Sequence, residues 1–257
     1  MELSIVPTGF FSSYEQYLDI DIKSAFLKIQ NIEIEANTFD FYTSVSVIAS
    51  SKIEGEAMDM DSYIKHKLLK VAYLKDLVQK PNDLFEAYIF AQNNFLDKKN
   101  FLQADKLLSK HLLPSKARGK LRTMEMVVMQ HETNKIQYEA ALSSKVKQYF
   151  DALFEDISIL IKADLSINEI FYYASFLHLV CVNIHPFEDG NGRISRLLEK
   201  WFLAQKLGKQ AWCVASEKYY YQNVDNYYKN LAILGFSYEN LAYKNSLNFL
   251  QMLPRSL

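Results

Sequence analysis

Apolar positions along most of this chain recur every three to four residues, the period of helices packed on one side. Phe41, Val45, Ile48 and Ala49 keep the i, i+4, i+7, i+8 spacing of a single buried face. Gly55 stands where a helix over about 41–55 takes its C′ residue. Asp59 or Asp61 is placed to cap a helix reaching about Lys75, and Asn82 or Asp83 to cap another from Leu84 to about Asn94. An amphipathic stretch covers Ser143 to Lys162. The clearest start signal is Leu165-Ser166-Ile167-Asn168-Glu169-Ile170: Ser166 and Glu169 make a capping box, Leu165 and Ile170 a hydrophobic staple. The helix it opens runs to about Ile184, because Pro186 disfavours the α conformation at His185. Another begins near Gly192 and stops before Gly208, and the last are predicted near Glu217–Ala232 and Tyr238–Leu250.

One segment breaks this period. Met126 to Gln130 and Ile136 to Ala140 flank the polar stretch His131 to Lys135, and Ile136, Tyr138 and Ala140 alternate with the period of a strand. A short β-hairpin is predicted here. No internal repeat, low-complexity tract or linker interrupts the chain. The simplest account is an all-α fold: a helical core with a short β-hairpin flap, and an N-terminal helical layer packed on it. The divisions expected are 1–98 for the layer, 99–235 for the core and 236–257 for a C-terminal helix.

Composition changes this picture only in part. The chain has 257 residues, 49% of them hydrophobic, enough for a sizeable core; seven glycines and five prolines speak against a many-turned β fold. A net charge of −1 gives no electrostatic footprint for nucleic acid. The local exception, Lys98 to Arg122, holds eight Lys or Arg against one Asp and reads as a solvated basic face. Cys181 and Cys213 have no metal or redox spacing, and Cys181 sits in an apolar segment as core. Met1 to Ile22 has no basic, apolar signal-peptide pattern, and no apolar run approaches the ~18 residues of a membrane span. A cytoplasmic protein without membrane contact is the expectation.

The candidate chemistry is concentrated in His185-Pro186-Phe187-Glu188-Asp189-Gly190-Asn191-Gly192-Arg193-Ile194-Ser195-Arg196. His185 lies at a helix end, where an imidazole titrating near ~6.5 can take a proton. Asp189 offers hard oxygens, and one carboxylate with phosphate oxygens is a usual way to hold Mg²⁺. Gly190, Asn191 and Gly192 can direct N–H groups at an anion. Arg193 and Arg196, three apart, share a helix face, and each can fork onto phosphate oxygens. Phe187 reads as a buried anchor for the loop. Singly, each part has an ordinary structural role: a packed His, a turn, solvated arginines. Twelve consecutive residues holding all of them suit transfer from a nucleoside triphosphate by positioning and charge stabilisation.

This segment resembles the signature of the Fic family, His-x-Phe-x-Asp/Glu-Gly/Ala-Asn-Gly-Arg-x-x-Arg, at every defined position. The resemblance implies an all-helical core and transfer of AMP from ATP to a protein hydroxyl. It implies His185 as the base that deprotonates a target Tyr, Thr or Ser, and Asp189 as the ligand of Mg²⁺ bridging the α- and β-phosphates. Gly190, Asn191 and Gly192 become the anion hole, Arg193 a phosphate ligand and Arg196 the holder of the γ-phosphate. Upstream, Ser50-Ser51-Lys52-Ile53-Glu54-Gly55 resembles the inhibitory-helix motif Ser/Thr-x-x-x-Glu-Gly/Asn. The likeness implies Glu54 facing Arg196, with Ser50 opening the motif, in the subclass whose inhibitor is fused in cis on the N-terminal side. The helix dipole adds a physical reason, since a glutamate in a last turn is disfavoured by ~0.3–1 kcal/mol without a cationic partner.

The hairpin stands where such proteins carry a flap that docks a target segment by β-augmentation. Val127, Val128 and Tyr138 are the candidate contacts there, with core packing as the equal alternative. Ser216 to Leu231 resembles the adenine-binding helix, with Asn223 and Tyr227 near the expected contacts; Asn223-Val224 departs from the Asn-Arg of many relatives, so the pocket cannot be copied onto this chain. Many relatives continue into a DNA-binding helical domain, for which a chain ending at Leu257 leaves little room. The expected function is an autoinhibited protein adenylyltransferase using ATP and Mg²⁺ on a target protein and on itself. The alternatives are an AMP-removing phosphodiesterase using Glu54 and a non-catalytic, nucleotide-responsive interaction protein. Homo-oligomerisation stays open.

Overall fold

The computed structural model describes residues 2–31, 36–129 and 135–257, with side chains of residues 36 and 37 left aside. The centre of the molecule is the helix Ile167–Ile184, called α8 in chain order, buried along nearly its whole surface. It packs against α9 (Asn191–Leu207) and α7 (Ser143–Lys162). By length and composition α8 could cross a bilayer, which corrects the expectation that no segment could; 78% of it is buried inside the protein, so its apolarity belongs to a core helix. It begins at the predicted capping box, with Ser166 and Glu169 each satisfying the other's backbone N–H. It ends at His185, whose φ of 54° is left-handed.

The N-terminal layer comprises α1 (Phe11–Gln16), α2 (Ile22–Gln30), α3 (Ala36–Ile53), α4 (Met60–Leu69) and α5 (Lys75–Gln92). α3 lies against α5, α9 and α10 (Ser216–Gln222). Its end is a Schellman turn: Glu56 N–H reaches the Ser51 carbonyl at 3.1 Å and Gly55 N–H the Lys52 carbonyl at 3.0 Å. Gly55 takes the left-handed C′ conformation, φ 83°, that a side chain would strain.

Several boundaries differ from the prediction. α4 stops at Leu69 rather than near Lys75, with Lys70 left-handed at its C-cap. α5 starts at Lys75 and runs through Pro81, so Asn82 and Asp83 are interior and not caps. Asp83 instead accepts from the backbone N–H of His111 at 2.9 Å and pairs with its Nδ1 at 2.6 Å. A helix not predicted, α6 (Lys98–Leu108), occupies the first half of the basic stretch. Lys106, Lys110, Lys116 and Lys120 are exposed there, but Asp105 and Arg122 are buried, so the face is not solvated throughout. The span Glu217–Ala232 breaks at Asn223 into α10 and α11 (Val224–Ala232). Over 238–250 the chain makes two 3₁₀ turns and the short α12 (Leu247–Leu250) in place of one helix.

The hairpin is present as β1 (Val127–Met129) and β2 (Ile136–Glu139), antiparallel, pairing Val127 with Glu139 and Val128 with Tyr138. Of the polar stretch expected between them, 131–134 lie outside the described residues, as does Gln130. The second edge of β2 is covered: Glu139 N–H bonds the Phe236 carbonyl at 2.8 Å, and Glu139 bridges to Ser237 in parallel.

Candidate active site

His185, Gly192 and Arg196 meet Glu54 around one cleft of about 160 Å³ that opens to solvent. Val128 and Tyr138 from the hairpin, Val182 and Asn183 from α8, and Tyr227, Tyr228 and Leu231 from α11 complete its wall. The site thus assembles at the C-terminal end of α8, the N-terminal end of α9, the flap and the end of α3.

The loop between α8 and α9 is held from inside. Phe187 is fully buried against Phe101 and Phe150. The Asn191 amide accepts from Phe187 N–H at 2.9 Å and donates to its carbonyl at 2.8 Å, closing the turn on itself. The Asn191 side chain is therefore spent on the loop, and only its backbone is left for an anion. Left-handed geometry at His185 is costly for a residue with a Cβ. Arg122 offsets the cost: its Nε donates to the His185 carbonyl at 2.6 Å, and its other nitrogens reach the carbonyls of Met124, Ala141 and Ile184. One buried guanidinium thus ties the start of the α8–α9 loop to both sides of the flap.

His185 Nδ1 lies 3.2 Å from the Val182 carbonyl. A carbonyl can only accept, so Nδ1 carries the hydrogen and Nε2 is the free acceptor. Burial pushes this imidazole down to about 4; the Val182 bond opposes the shift and the Arg122 charge adds to it. It is neutral at physiological pH and able to take a proton.

Arg196 is fully buried. Its Nε donates to Ser50 Oγ at 2.8 Å, its Nη2 to the Ser50 carbonyl at 3.2 Å and to Glu54 Oε1 at 2.6 Å, and its Nη1 to the Tyr227 hydroxyl at 3.3 Å. Burial acts to raise the Glu54 pKa, but the Arg196 and Arg193 charges outweigh it and hold the carboxylate below its usual range. Glu54 lies so close to Gly192 that a Cβ there would run into its Oε1. Glycine at 192 is what lets a carboxylate, or any anion, approach this backbone. The carboxylate occupies space beside the helix N-terminus where an anion is favoured.

The two arginines do not share this partner. Arg193 Nη2 donates to Glu56 Oε1 at 2.9 Å, and Lys80 Nζ reaches the same oxygen at 3.0 Å. Asp189 is exposed, with Oδ1 accepting from Gly190 N–H at 2.6 Å. Among the described residues no cluster of three or more metal-binding side chains exists. One exposed hard carboxylate fits Mg²⁺ shared with phosphate oxygens, and does not make a protein-only cage.

Other expected residues fall differently. Asn223 donates back to the Tyr219 carbonyl at 2.9 Å and does not line the cleft, because the helix breaks there. Tyr227 does line it, through the hydroxyl that faces Arg196. Val127 is exposed on the strand's outer side, whereas Val128 turns inward and Tyr138 donates to the Asn183 carbonyl at 2.8 Å. Glu56, Lys80, Arg122 and Tyr228, which bonds the Ile53 carbonyl at 3.0 Å, were not expected. Only Glu56 had a visible signal, an acid two residues beyond Glu54.

The model of the Fic/DOC family matches residues 95–203, which run from just before α6 into α9. The chain carries a Fic/DOC-family domain. Solved structures share the fold. A Fic family protein from Desulfovibrio desulfuricans G20 matches with a TM-score of 0.75 at 16% identity, over 100% of this chain and 74% of that one. A Fic domain containing signaling protein from Bacteroides thetaiotaomicron matches with 0.65 at 19%, over 95% and 94%. Fic-1 (aa134–508) from C. elegans matches with 0.68 at 13%, over 96% and 69%. No curated protein matches the chain. The Fic domain therefore contributes α6 to α9 and the flap, and α3 brings Glu54 to it from outside the matched segment.

Proposed function

We propose that this Fic-domain protein is an autoinhibited protein adenylyltransferase, moving AMP from ATP to a Tyr, Thr or Ser hydroxyl of a target protein and of itself. The observation that carries this reading is the Glu54–Arg196 pair, 2.6 Å, inside the cleft that also holds His185 and Gly192. A triphosphate tail needs the cationic, glycine-floored corner that Glu54 now fills.

With Glu54 withdrawn, Arg196 is free to hold the terminal phosphate and Arg193 an inner one. The target hydroxyl gives its proton to His185 Nε2 as its oxygen bonds to the α-phosphorus. The bond from that phosphorus to the bridging oxygen breaks, and pyrophosphate leaves. Mg²⁺ held by Asp189 would offset charge on the α- and β-phosphates. The target segment adds to β1, since the chain at 236–237 already covers the far edge of β2. Val128 and Tyr138 then flank the acceptor side chain.

Incubation with labelled ATP, Mg²⁺ and lysate tests this. Glu54→Gly should raise labelling at least tenfold, and His185→Ala should abolish it in either background. Label that survives loss of His185 excludes the mechanism. One observation favours a second reading: the ionised Glu54 lines the same cleft as His185 and can orient a water for AMP removal. Purified, AMP-modified protein that loses its hydrolysis with Glu54→Gly would establish it.

A further inference from the structure

Three of the four hydrogen bonds that fix Arg196 come from α3 and its cap, at Ser50 and Glu54. When that cap moves, the Glu54 bond is lost; the two Ser50 bonds hold Nε and Nη2 from α3, and Nη1 is held by the Tyr227 hydroxyl. Behind Tyr227 stands a buried polar chain. The Tyr227 hydroxyl lies 3.0 Å from His178 Nε2, and His178 Nδ1 lies 2.8 Å from Glu199 Oε2, which also accepts from Tyr220 at 2.7 Å. Arg196, His178, Glu199 and Tyr220 are fully buried and Tyr227 is 1% exposed.

The directions of these bonds follow from chemistry. A carboxylate accepts only, so His178 donates from Nδ1, and in the neutral imidazole Nε2 then keeps a lone pair. Tyr227 donates its hydrogen to that lone pair. The phenolic oxygen then turns its own lone pairs to Arg196 Nη1, which can only donate. Each link polarises the next, so negative charge at Glu199 is felt at the oxygen facing the guanidinium. Packing alone explains this poorly. Glu199 Oε1 has no partner among the described residues, and an apolar residue of similar shape would avoid the desolvation of a buried carboxylate.

We propose that His178 and Glu199 are positioning residues that act through the Tyr227 hydroxyl to keep the Arg196 guanidinium aligned for a phosphate oxygen once Glu54 has left. The inference rests on the reading of Arg196 as the ligand of the terminal phosphate. Glu199 is then the counter-charge that stays, and Glu54 the one that leaves.

Calorimetry in the Glu54→Gly protein tests it, with MgATP and MgADP as probes. Tyr227→Phe, His178→Phe and Glu199→Gln should each weaken MgATP by about tenfold and leave MgADP within about twofold, since only the terminal phosphate meets Arg196. Combining two of them should add little, because one chain is cut twice. Unchanged MgATP affinity, or MgATP and MgADP falling together, overturns the proposal. A second measurement does not need nucleotide. Imidazole ¹⁵N spectra should show His178 protonated at Nδ1, with its Nε2 resonance displaced by Tyr227→Phe; protonation at Nε2 alone overturns the relay. A Glu54→Gly parent that binds neither nucleotide sinks the reading of the cleft, and the imidazole spectra then decide the relay.

Discussion

Glu54 and Glu56 reach two different arginines because a Schellman turn separates them and points both carboxylates at α9. Glu56 is shared between Arg193 and Lys80, and in the proposed function it occupies the place of a phosphate. Glu56→Gln should therefore lower the stability of the free protein by ~1–2 kcal/mol, since Arg193 loses its mostly buried partner. The same variant should show a larger thermal shift on adding MgATP than the parent, and equal shifts would mean that Glu56 does not compete with the ligand. His185 makes a different prediction. Its imidazole titrates near ~6.5 in the unfolded chain and, chiefly through burial, at about 4 in the fold. Between those values the unfolded state binds more protons, so stability rises with pH. The fold is free of this penalty above ~6.5 and bears all of it below ~4, roughly 3 kcal/mol. Urea unfolding at pH 7.5 and 5 should show this slope, and His185→Gln should flatten it.

At the scale of elements, α8 shows why parts of the fold were legible. Its start is written in four adjacent signals and its stop in Pro186, all local to the chain. Ser166→Ala should cost about 1 kcal/mol, because the hydroxyl and the Glu169 carboxylate lose each other's bonds together. A midpoint unchanged in urea would mean that packing alone sets this end. α7 was legible from its amphipathic period and α9 from the glycines at its two ends, signals that are equally local. α5 was not: the Asn82-Asp83 pair resembles a cap, but the Asp83 carboxylate goes to His111, 28 residues away, and the buried Pro81 is carried inside the helix. No local pattern encodes such a partner. The span 238–250 fails as a helix because the chain has a second task. Residues 236–237 complete the edge of β2, and Ala242 N–H then returns to the Leu234 carbonyl at 2.7 Å. In the site, the motif 185–196 was legible as consecutive chemistry. Arg122 was not, since its four carbonyls come from three segments joined only in the fold.

Across the whole molecule, the N-terminal layer is fastened to the Fic domain and to the C-terminal segment at points independent of Glu54. Asp156 on α7 accepts the backbone N–H groups of Ser4, Ile5 and Val6 at 2.7–2.8 Å. Arg255 pairs with Asp19, and Gln251 donates to the Tyr17 carbonyl. α3 has its own anchors: Lys200 reaches Ser46, Gln92 reaches Thr43, and residues 47–51 are buried. Withdrawing α3 as a rigid body would expose that apolar and polar surface together, at a cost comparable with the 5–15 kcal/mol that hold a typical domain folded. Movement of the partly exposed Glu54-Gly55-Glu56 turn costs far less, because among the described residues it is held by three ion pairs and the backbone bonds of its Schellman turn. De-repression should thus be local to the turn. Asp156→Ala separates the two possibilities. It strands three backbone donors, so thermal unfolding should show a loss of ~2–4 kcal/mol. If the layer had to lift away for the cleft to open, loosening its N-terminal strap would raise AMP transfer as Glu54→Gly does. If the turn moves alone, transfer by Asp156→Ala stays at the level of the parent while its stability falls. The second outcome is the one this pattern of contacts predicts, and activation of Asp156→Ala at a temperature where it is still folded would refute it.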